Sequence, residues 1–281
     1  MITKKYLMIH ADDSGLSWSE NKATQQGMLY GSINSTSLMV PCPWFFEMAK
    51  FAIKNPKLDF GIHLTLTGEW KNYPFRPITP VNRIPSLVDK NGYFLPKRQH
   101  IRDHAVLKEV RLELINQIEF ALSLGVKPSH LDSHMYTLGL RQDLLDLYQE
   151  LGEKYRVPII LSKKLISYTG ESPAQFNLPD KKCFESLFMV SMEQFKNEGN
   201  IAFYNKTLDN LTDGLSILLI HPALESDEMN QITIDHPNFG ALWRADDSAY
   251  FNSEACKQML KKNNIELVNF KSPITLSLLG A

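Results

Sequence analysis

The sequence has little cysteine, no excess of either charge and no long apolar run. Its three cysteines, Cys42, Cys183 and Cys256, lie far apart and form no CxxC pair, a sparse set typical of free thiols in a reducing compartment. The 30 Lys and Arg residues balance 31 Asp and Glu residues, so the chain lacks the basic field that nucleic-acid binding requires. No apolar run could span a bilayer. The apolar run that follows Lys4 and Lys5 is too short for a signal-peptide core. We therefore expect a cytoplasmic protein with no nucleic-acid or membrane partner.

Hydrophobic residues make up 43% of the 281 positions, which is enough for a full core, and we expect one catalytic domain over residues 1–281. Short apolar runs alternate with helical patterns six or seven times. Strands are predicted over 6–11, 35–40, 58–66, 129–133, 157–161, 215–220 and 265–270, and helices over 17–31, 43–54, 103–125, 142–155 and 252–263. This order favours a parallel sheet with helical crossovers, either open or closed into a barrel. Residues 163–200 and 224–250 show no clear pattern; the second segment is a candidate lid or interface.

Carboxylates and imidazoles stand at the ends of four predicted strands. Asp12 and Asp13 end the first, His63 the third, the SHLDSH stretch at 129–134 the fourth, and His221 the Leu-rich strand. Because the carboxyl ends of parallel strands lie on one rim, we expect these residues to converge. One Asp and two His form a common ligand set for a divalent metal with open positions. Such an ion would stabilise the adjacent aspartates, one as a ligand and its neighbour as a base beside the metal-bound water.

The remaining histidines and a second Asp pair are predicted to lie outside this site. His100 and His104 share the HxxxH spacing, which on a helix places two imidazoles on one face, but they stand among cationic side chains in a predicted polar loop. Asp246-Asp247 lies in a predicted loop and is interpreted as a cap or turn. His10 lies within the first strand and is predicted to be buried and hydrogen-bonded. We assign no role to His236.

Four motifs together resemble those of the YdjC-like carbohydrate deacetylases, the family that includes chitooligosaccharide deacetylases. They are HADDSG at 10–15, GIHLTLTG at 61–68, SHLDSH at 129–134 and IHP at 220–222. The resemblance covers about residues 5–225 and implies an α/β fold, a distorted (β/α) barrel of mostly parallel strands like that of polysaccharide deacetylases. The chain departs from the family pattern at Ser14, at Met135-Tyr136 and at Ala223. These departures remove no expected ligand and bear on substrate preference.

The resemblance also implies roles for the residues at the strand ends. Carried over by motif, Asp13, His63 and His134 would hold one divalent metal. Asp12 would be the base that activates water, and His221 the general acid. By ligand type this set suits zinc, but open positions and mixed N and O ligands also accept magnesium, manganese or cobalt.

Four further residues are expected near the site. His130 and Asp132 would line or brace it, and Asp132 is either an acceptor that orients an imidazole N–H or a turn cap. Sugar sites often use aromatic faces, and Trp70 and Tyr73 are the candidates for stacking on a sugar.

The implied function is hydrolysis of N-acetyl groups on an amino-sugar oligosaccharide of the chitooligosaccharide type, short or phosphorylated. Two alternatives remain open: a metal-dependent sugar-phosphate hydrolase or isomerase, and a catalytically silent carbohydrate-binding protein. The small ligand set favours one metal and hydrolysis. The expected partners are a small carbohydrate substrate and, from the frequency of symmetric dimers among soluble enzymes, a second copy in a homodimer.

Overall fold

The computed structural model describes residues 4–179, 183–184, 186–236 and 238–280. The strands of this part are β1 (Lys5–Ser14), β2 (Ser35–Leu38), β3 (Phe60–Leu64), β4 (Leu131–Ser133), β5 (Ser186–Phe188), β6 (Gly214–Ile220) and β7 (Ile265–Leu267). The helices are α1 (Trp18–Leu29), α2 (Phe45–Lys54), α3 (Arg98–His104), α4 (Leu107–Ser123), α5 (Gln142–Tyr155), α6 (Lys163–Thr169), α7 (Met192–Asp209), α8 (Asp227–Ile232), α9 (Ala241–Phe251), α10 (Glu254–Lys262) and α11 (Pro273–Leu279).

All pairings between these strands are parallel, and β1 lies at the centre of the sheet. The order is β4-β3-β2-β1-β6-β5. One edge of β1 pairs with β6, while the other pairs first with β7 and then with β2. Leu7, Met8 and Ile9 are completely buried, as expected for a parallel strand that is covered on both faces.

Backbone hydrogen bonds outside the named strands extend the sheet from β4 towards β5. Ile160 N–H donates to Leu131 O at 3.0 Å, and Phe184 N–H donates to Leu161 O at 2.7 Å. The strand predicted over 157–161 is thereby reduced to one isolated pairing at Ile159. The sheet curves into a distorted barrel of parallel strands, which confirms the predicted fold class.

Helix α1 begins at Trp18, shortly after the Asp pair, because Ser17 caps it. The Ser17 hydroxyl accepts a hydrogen bond from Glu20 N–H at 3.1 Å, as the predicted capping box requires. Helix α5 coincides with its predicted bounds. Local sequence signals therefore define the ends of these two helices well.

Two further regions differ from the predictions. The helix predicted over 103–125 is divided into α3 and α4, so that His100 and His104 lie on a helix and not in a loop; His104 is exposed. The unassigned segment 224–250 contains α8 and α9. Helix α9 buries Arg244, Asp247 and Ser248 as well as apolar residues, so hydrophobic periodicity could not reveal it. None of the helices in the described ranges has the length and apolarity needed to cross a bilayer.

We expect Gly61→Ala to destabilise the protein. A Cβ at Gly61 would lie 2.3 Å from His130 Nε2, and the His130 ring is fully buried and stacked on Phe270 at 4.1 Å. Overpacking of this kind costs about 1–3 kcal/mol, which a shift of the urea unfolding midpoint measures. The control is Gly68→Ala, whose Cβ would make an ordinary contact at 3.4 Å with Phe75. Equal midpoints for the two variants would contradict the prediction.

Candidate active site

An irregular strand end lets both aspartates of the DD pair face one cavity. The register between β1 and β2 shifts between Ala11 and Ser14, and Asp13 has a φ of 63°. Successive residues of a regular strand point to opposite faces, and a left-handed residue at a bulge redirects the chain. As a result, Asp12 and Asp13 both line a cavity of about 510 Å³.

Three atoms from three strand ends form a nearly equilateral triangle in this cavity. The distance from Asp13 Oδ1 to His63 Nε2 is 3.4 Å, and to His134 Nδ1 it is 3.2 Å. The two imidazole nitrogens are 3.3 Å apart. Ligands held at about 2.1 Å around a tetrahedral metal stand about 3.4 Å from one another. The spacing therefore matches a metal-ligand set.

The outer nitrogen of each imidazole faces a carboxylate. His63 Nδ1 lies 2.8 Å from Asp132 Oδ2, and His134 Nε2 lies 2.9 Å from Glu69 Oε2. We assign the ring protons to these outer nitrogens from the hydrogen-bond network. Lone pairs of both inner nitrogens then face the buried Asp13 Oδ1, which has no hydrogen-bond partner among the described residues. Three converging acceptors fit a divalent cation, and the carboxylates would orient its histidine ligands.

The pKa values of the two adjacent aspartates are shifted in opposite directions. Burial raises the pKa of Asp12 to about 7. Burial also opposes ionisation of Asp13, but the positive charge of Arg244 lowers the pKa of Asp13 well below the usual range. Asp13 is thus suited to be a charged ligand. Asp12 is suited to exchange a proton near neutral pH.

His221 lies beside Asp12 at the same cavity. Its Nε2 is 3.7 Å from Asp12 Oδ2, and its ring packs against Phe239 with centroids 4.5 Å apart. Burial lowers the pKa of His221 to about 3, which favours the neutral imidazole before substrate binds. Asp12 and His221 therefore form an adjacent pair of ionisable groups at the cavity wall.

Asp132 lies in the second layer around the candidate ligands. It lies within β4, and besides His63 its Oδ2 contacts His10 Nε2 at 3.2 Å. The position has the geometry of an imidazole-orienting acceptor and not of a turn cap. His10 is fully buried and also contacts Ser35, as predicted.

His130 and His134 do not share a helix face, because β4 and not a helix separates them. His134 lines the cavity, whereas His130 is fully buried behind it, with its ring 5.0 Å from the His10 ring. His130 can therefore brace the site but does not line it.

Neither Trp70 nor Tyr73 lies in the cavity lining, which corrects their expected role in sugar stacking. Trp70 is buried between Arg244, 5.3 Å from its ring, and His236, 4.8 Å away. The Tyr73 hydroxyl donates to Leu16 O at 2.9 Å. Both rings brace the surrounding loops. The aromatic rings that do line the cavity are those of Tyr136, Tyr168 and Phe239.

The sequence reasoning did not place Glu69, Arg244 or Asp247 against the candidate ligands or His221. Glu69 contacts His134, and its position directly after the GIHLTLTG motif could have indicated it. Arg244 donates to Asp13 Oδ2 at 2.8 Å and also to Glu20. No sequence signal indicated that Arg244 pairs with Asp13 and Glu20. Asp247, interpreted as a cap or turn, is instead a fully buried residue of α9.

Comparisons with known proteins agree with the motifs. Residues 6–262 match the YdjC-like protein family. A carbohydrate deacetylase from Thermoanaerobacter pseudethanolicus is 29% identical over 269 residues, covering 95% of this chain and 98% of that protein. Another from Thermus thermophilus is 32% identical and covers 80% of each chain. A solved structure from Enterococcus faecalis V583, provisionally assigned as a cellobiose-phosphate cleavage protein, has a TM-score of 0.76 at 25% identity and covers 95% and 98% of the two chains.

We expect His134→Ala to lose bound metal, because it removes one of three converging ligand atoms. Elemental analysis of the purified protein measures the metal content directly. The control is His104→Ala, which alters an exposed histidine of the other HxxxH pair and should leave the metal content unchanged. Full metal occupancy in His134→Ala would contradict the ligand assignment.

Proposed function

The chain belongs to the YdjC-like protein family, and we propose that it is a metal-dependent carbohydrate deacetylase acting on an amino-sugar oligosaccharide of the chitooligosaccharide type. The observation that carries this proposal is the triangle of Asp13, His63 and His134 with Asp12 and His221 beside it. Hydrolysis of an acetamide needs a polarised carbonyl, an activated water and a protonated leaving nitrogen. A divalent metal held by the triangle would supply the polarisation and acidify the water.

The protein's own groups would move the protons. Asp12 Oδ1 contacts His10 Nε2 at 3.3 Å, and Oδ2 faces His221. With a pKa near 7, Asp12 can accept a proton from the attacking water. His221 Nε2, 3.7 Å away, would deliver a proton to the departing amine, which leaves poorly as an anion. Because burial favours neutral His221, its proton must arrive during the reaction, and Asp12 is its nearest carboxylate source.

The cavity supports a carbohydrate substrate of small size. Its volume of about 510 Å³ falls within the range of small-molecule sites. The rings of Tyr168 and Phe239 offer apolar faces against which a sugar can pack. Apolar side chains of Ile160, Leu165 and Met189 complete this wall.

Two cations at the cavity support a phosphorylated oligosaccharide as the substrate. Lys97 and Arg98 line it, and no carboxylate of the described residues forms an ion pair with either. Among the described residues, the Arg98 guanidinium donates only to backbone carbonyls, at 2.7 Å to Tyr168 O and 3.5 Å to Met135 O. A phosphate on the sugar would find positive charge there.

The central test is acetate release by the purified protein from N-acetylglucosamine oligomers, with and without a phosphate, after its metal content has been measured. We expect stoichiometric metal, acetate and a free amine, and loss of the reaction on chelation. Release of phosphate instead would favour the sugar-phosphate hydrolase. Metal and sugar binding without turnover would favour the silent binding protein.

We expect His221→Ala to keep its metal and lose most turnover, because the variant lacks the proton donor but retains all three ligands. Loss of one proton-transfer group typically costs about 10²–10⁴-fold in rate. Steady-state acetate release combined with elemental analysis separates the two effects. Metal loss in His221→Ala, or unchanged kcat, would contradict the acid assignment.

A further inference from the structure

Helix α9 presents two buried charged residues, one turn apart, to the candidate site. Arg244 is 1% exposed and Asp247 is completely buried. Residues at i and i+3 lie on the same face of a helix, and charged side chains are almost never fully buried unless they are paired. The contacts of this face should therefore account for both charges.

The Arg244 guanidinium fixes the carboxylate of Asp13. Nη2 donates to Asp13 Oδ2 at 2.8 Å, Nη1 donates to Glu20, and Nε donates to Phe239 O at 2.7 Å. Because Oδ2 is held by the guanidinium, only Oδ1 of Asp13 faces the two histidines. Arg244 thus determines which oxygen of the expected ligand is available, and it compensates a buried negative charge.

The Asp247 carboxylate holds the backbone at His221. Its Oδ2 accepts the His221 backbone N–H at 2.8 Å. Its Oδ1 accepts from Asn200 Nδ2 at 2.7 Å and from the Tyr204 hydroxyl. Two residues after His221, the Ala223 N–H donates to the Arg244 carbonyl at 3.0 Å. The segment that carries His221 is therefore attached to α9 at two points.

We propose that Arg244 and Asp247 are positioning residues, and that α9 holds the metal ligand Asp13 and the proton donor His221 in one fixed relation. The inference rests on the proposed function, because both groups must act on the same amide. Arg244 acts through Asp13, and Asp247 acts through the backbone of His221. Displacement of a reacting group by about 1 Å can cost 10²-fold in rate, so a rigid link between the two is advantageous.

The Arg244 part is tested by titrating the metal-free protein with Mn²⁺ and recording the electron paramagnetic resonance spectrum of the bound ion. We expect Arg244→Met to weaken Mn²⁺ binding about 10–100-fold, the usual effect of losing a group that orients a ligand. Added guanidinium should restore binding to Arg244→Ala. The control Arg141→Met alters an arginine that bonds to Asp143 and to the Ala105 carbonyl, outside the cavity lining. Wild-type affinity and spectrum in Arg244→Met would overturn the inference.

The Asp247 part is tested with Asp247→Asn against its neighbour Asp246→Asn. An amide at 247 replaces one acceptor oxygen with a donor, which conflicts with the three N–H and O–H donors around it. We expect a loss of kcat of at least about tenfold with unchanged Mn²⁺ affinity, and a shift of the His221 ring signals in the NMR spectrum of histidine-labelled protein. Asp246→Asn should show neither effect. Unchanged His221 signals in Asp247→Asn would overturn the inference.

Failure of the inference and failure of the proposed function give different results. The Mn²⁺ titration and the His221 spectrum need no substrate, so they decide the positioning roles even in a protein that releases no acetate. A wild-type protein that binds Mn²⁺ without releasing acetate contradicts the proposed function alone. An active wild type whose Arg244 and Asp247 variants keep normal Mn²⁺ affinity and His221 signals contradicts the inference alone.

Discussion

The site depends on the contacts that the two oxygens of the Asp13 carboxylate make. Oδ1 stands within 3.4 Å of both histidine nitrogens, and Oδ2 is held by Arg244. The group is 2% exposed, and an unpaired carboxylate at such a position would be costly to ionise. The guanidinium stabilises the charge on one side, and a divalent metal held by the ligand set would stabilise it on the other. The left-handed backbone at Asp13, a strained conformation of the kind found at functional sites, is maintained by these contacts.

The pKa values of neighbouring groups in this cavity are shifted in opposite directions. Asp13 stays charged beside Arg244, whereas burial brings the pKa of Asp12 to about 7. The same burial favours neutral His221. A carbohydrate deacetylase needs both a group that takes a proton from water and a group that returns one to nitrogen. In the proposed mechanism, residues 12 and 221 would provide these two groups; they lie at the neighbouring strand ends of β1 and β6, 3.7 Å from each other.

Prediction from the sequence succeeded where the signal was local and failed where it was not. The strands carrying Asp12, His63 and His221 were recognised because each is a short apolar run that ends on a polar group. Helix α9 was not recognised, because its inward face carries Arg244 and Asp247 among its apolar residues. The stacking role assigned to Trp70 was wrong for a related reason: composition shows that an aromatic ring is present, but not which surface it covers.

The sequence by itself determined the alternation of strands and helices that favours a parallel sheet, the family motifs and the residue types that stand at the strand ends. These follow from local apolar periodicity and from the chemistry of carboxylates and imidazoles. Only the tertiary structure decided which oxygen of Asp13 faces the histidines, that Glu69 and Arg244 join the site, and that His130 stays behind it. Those features arise from contacts between residues as far apart as 13 and 244. Such contacts are specified by packing in three dimensions, and no local pattern encodes them.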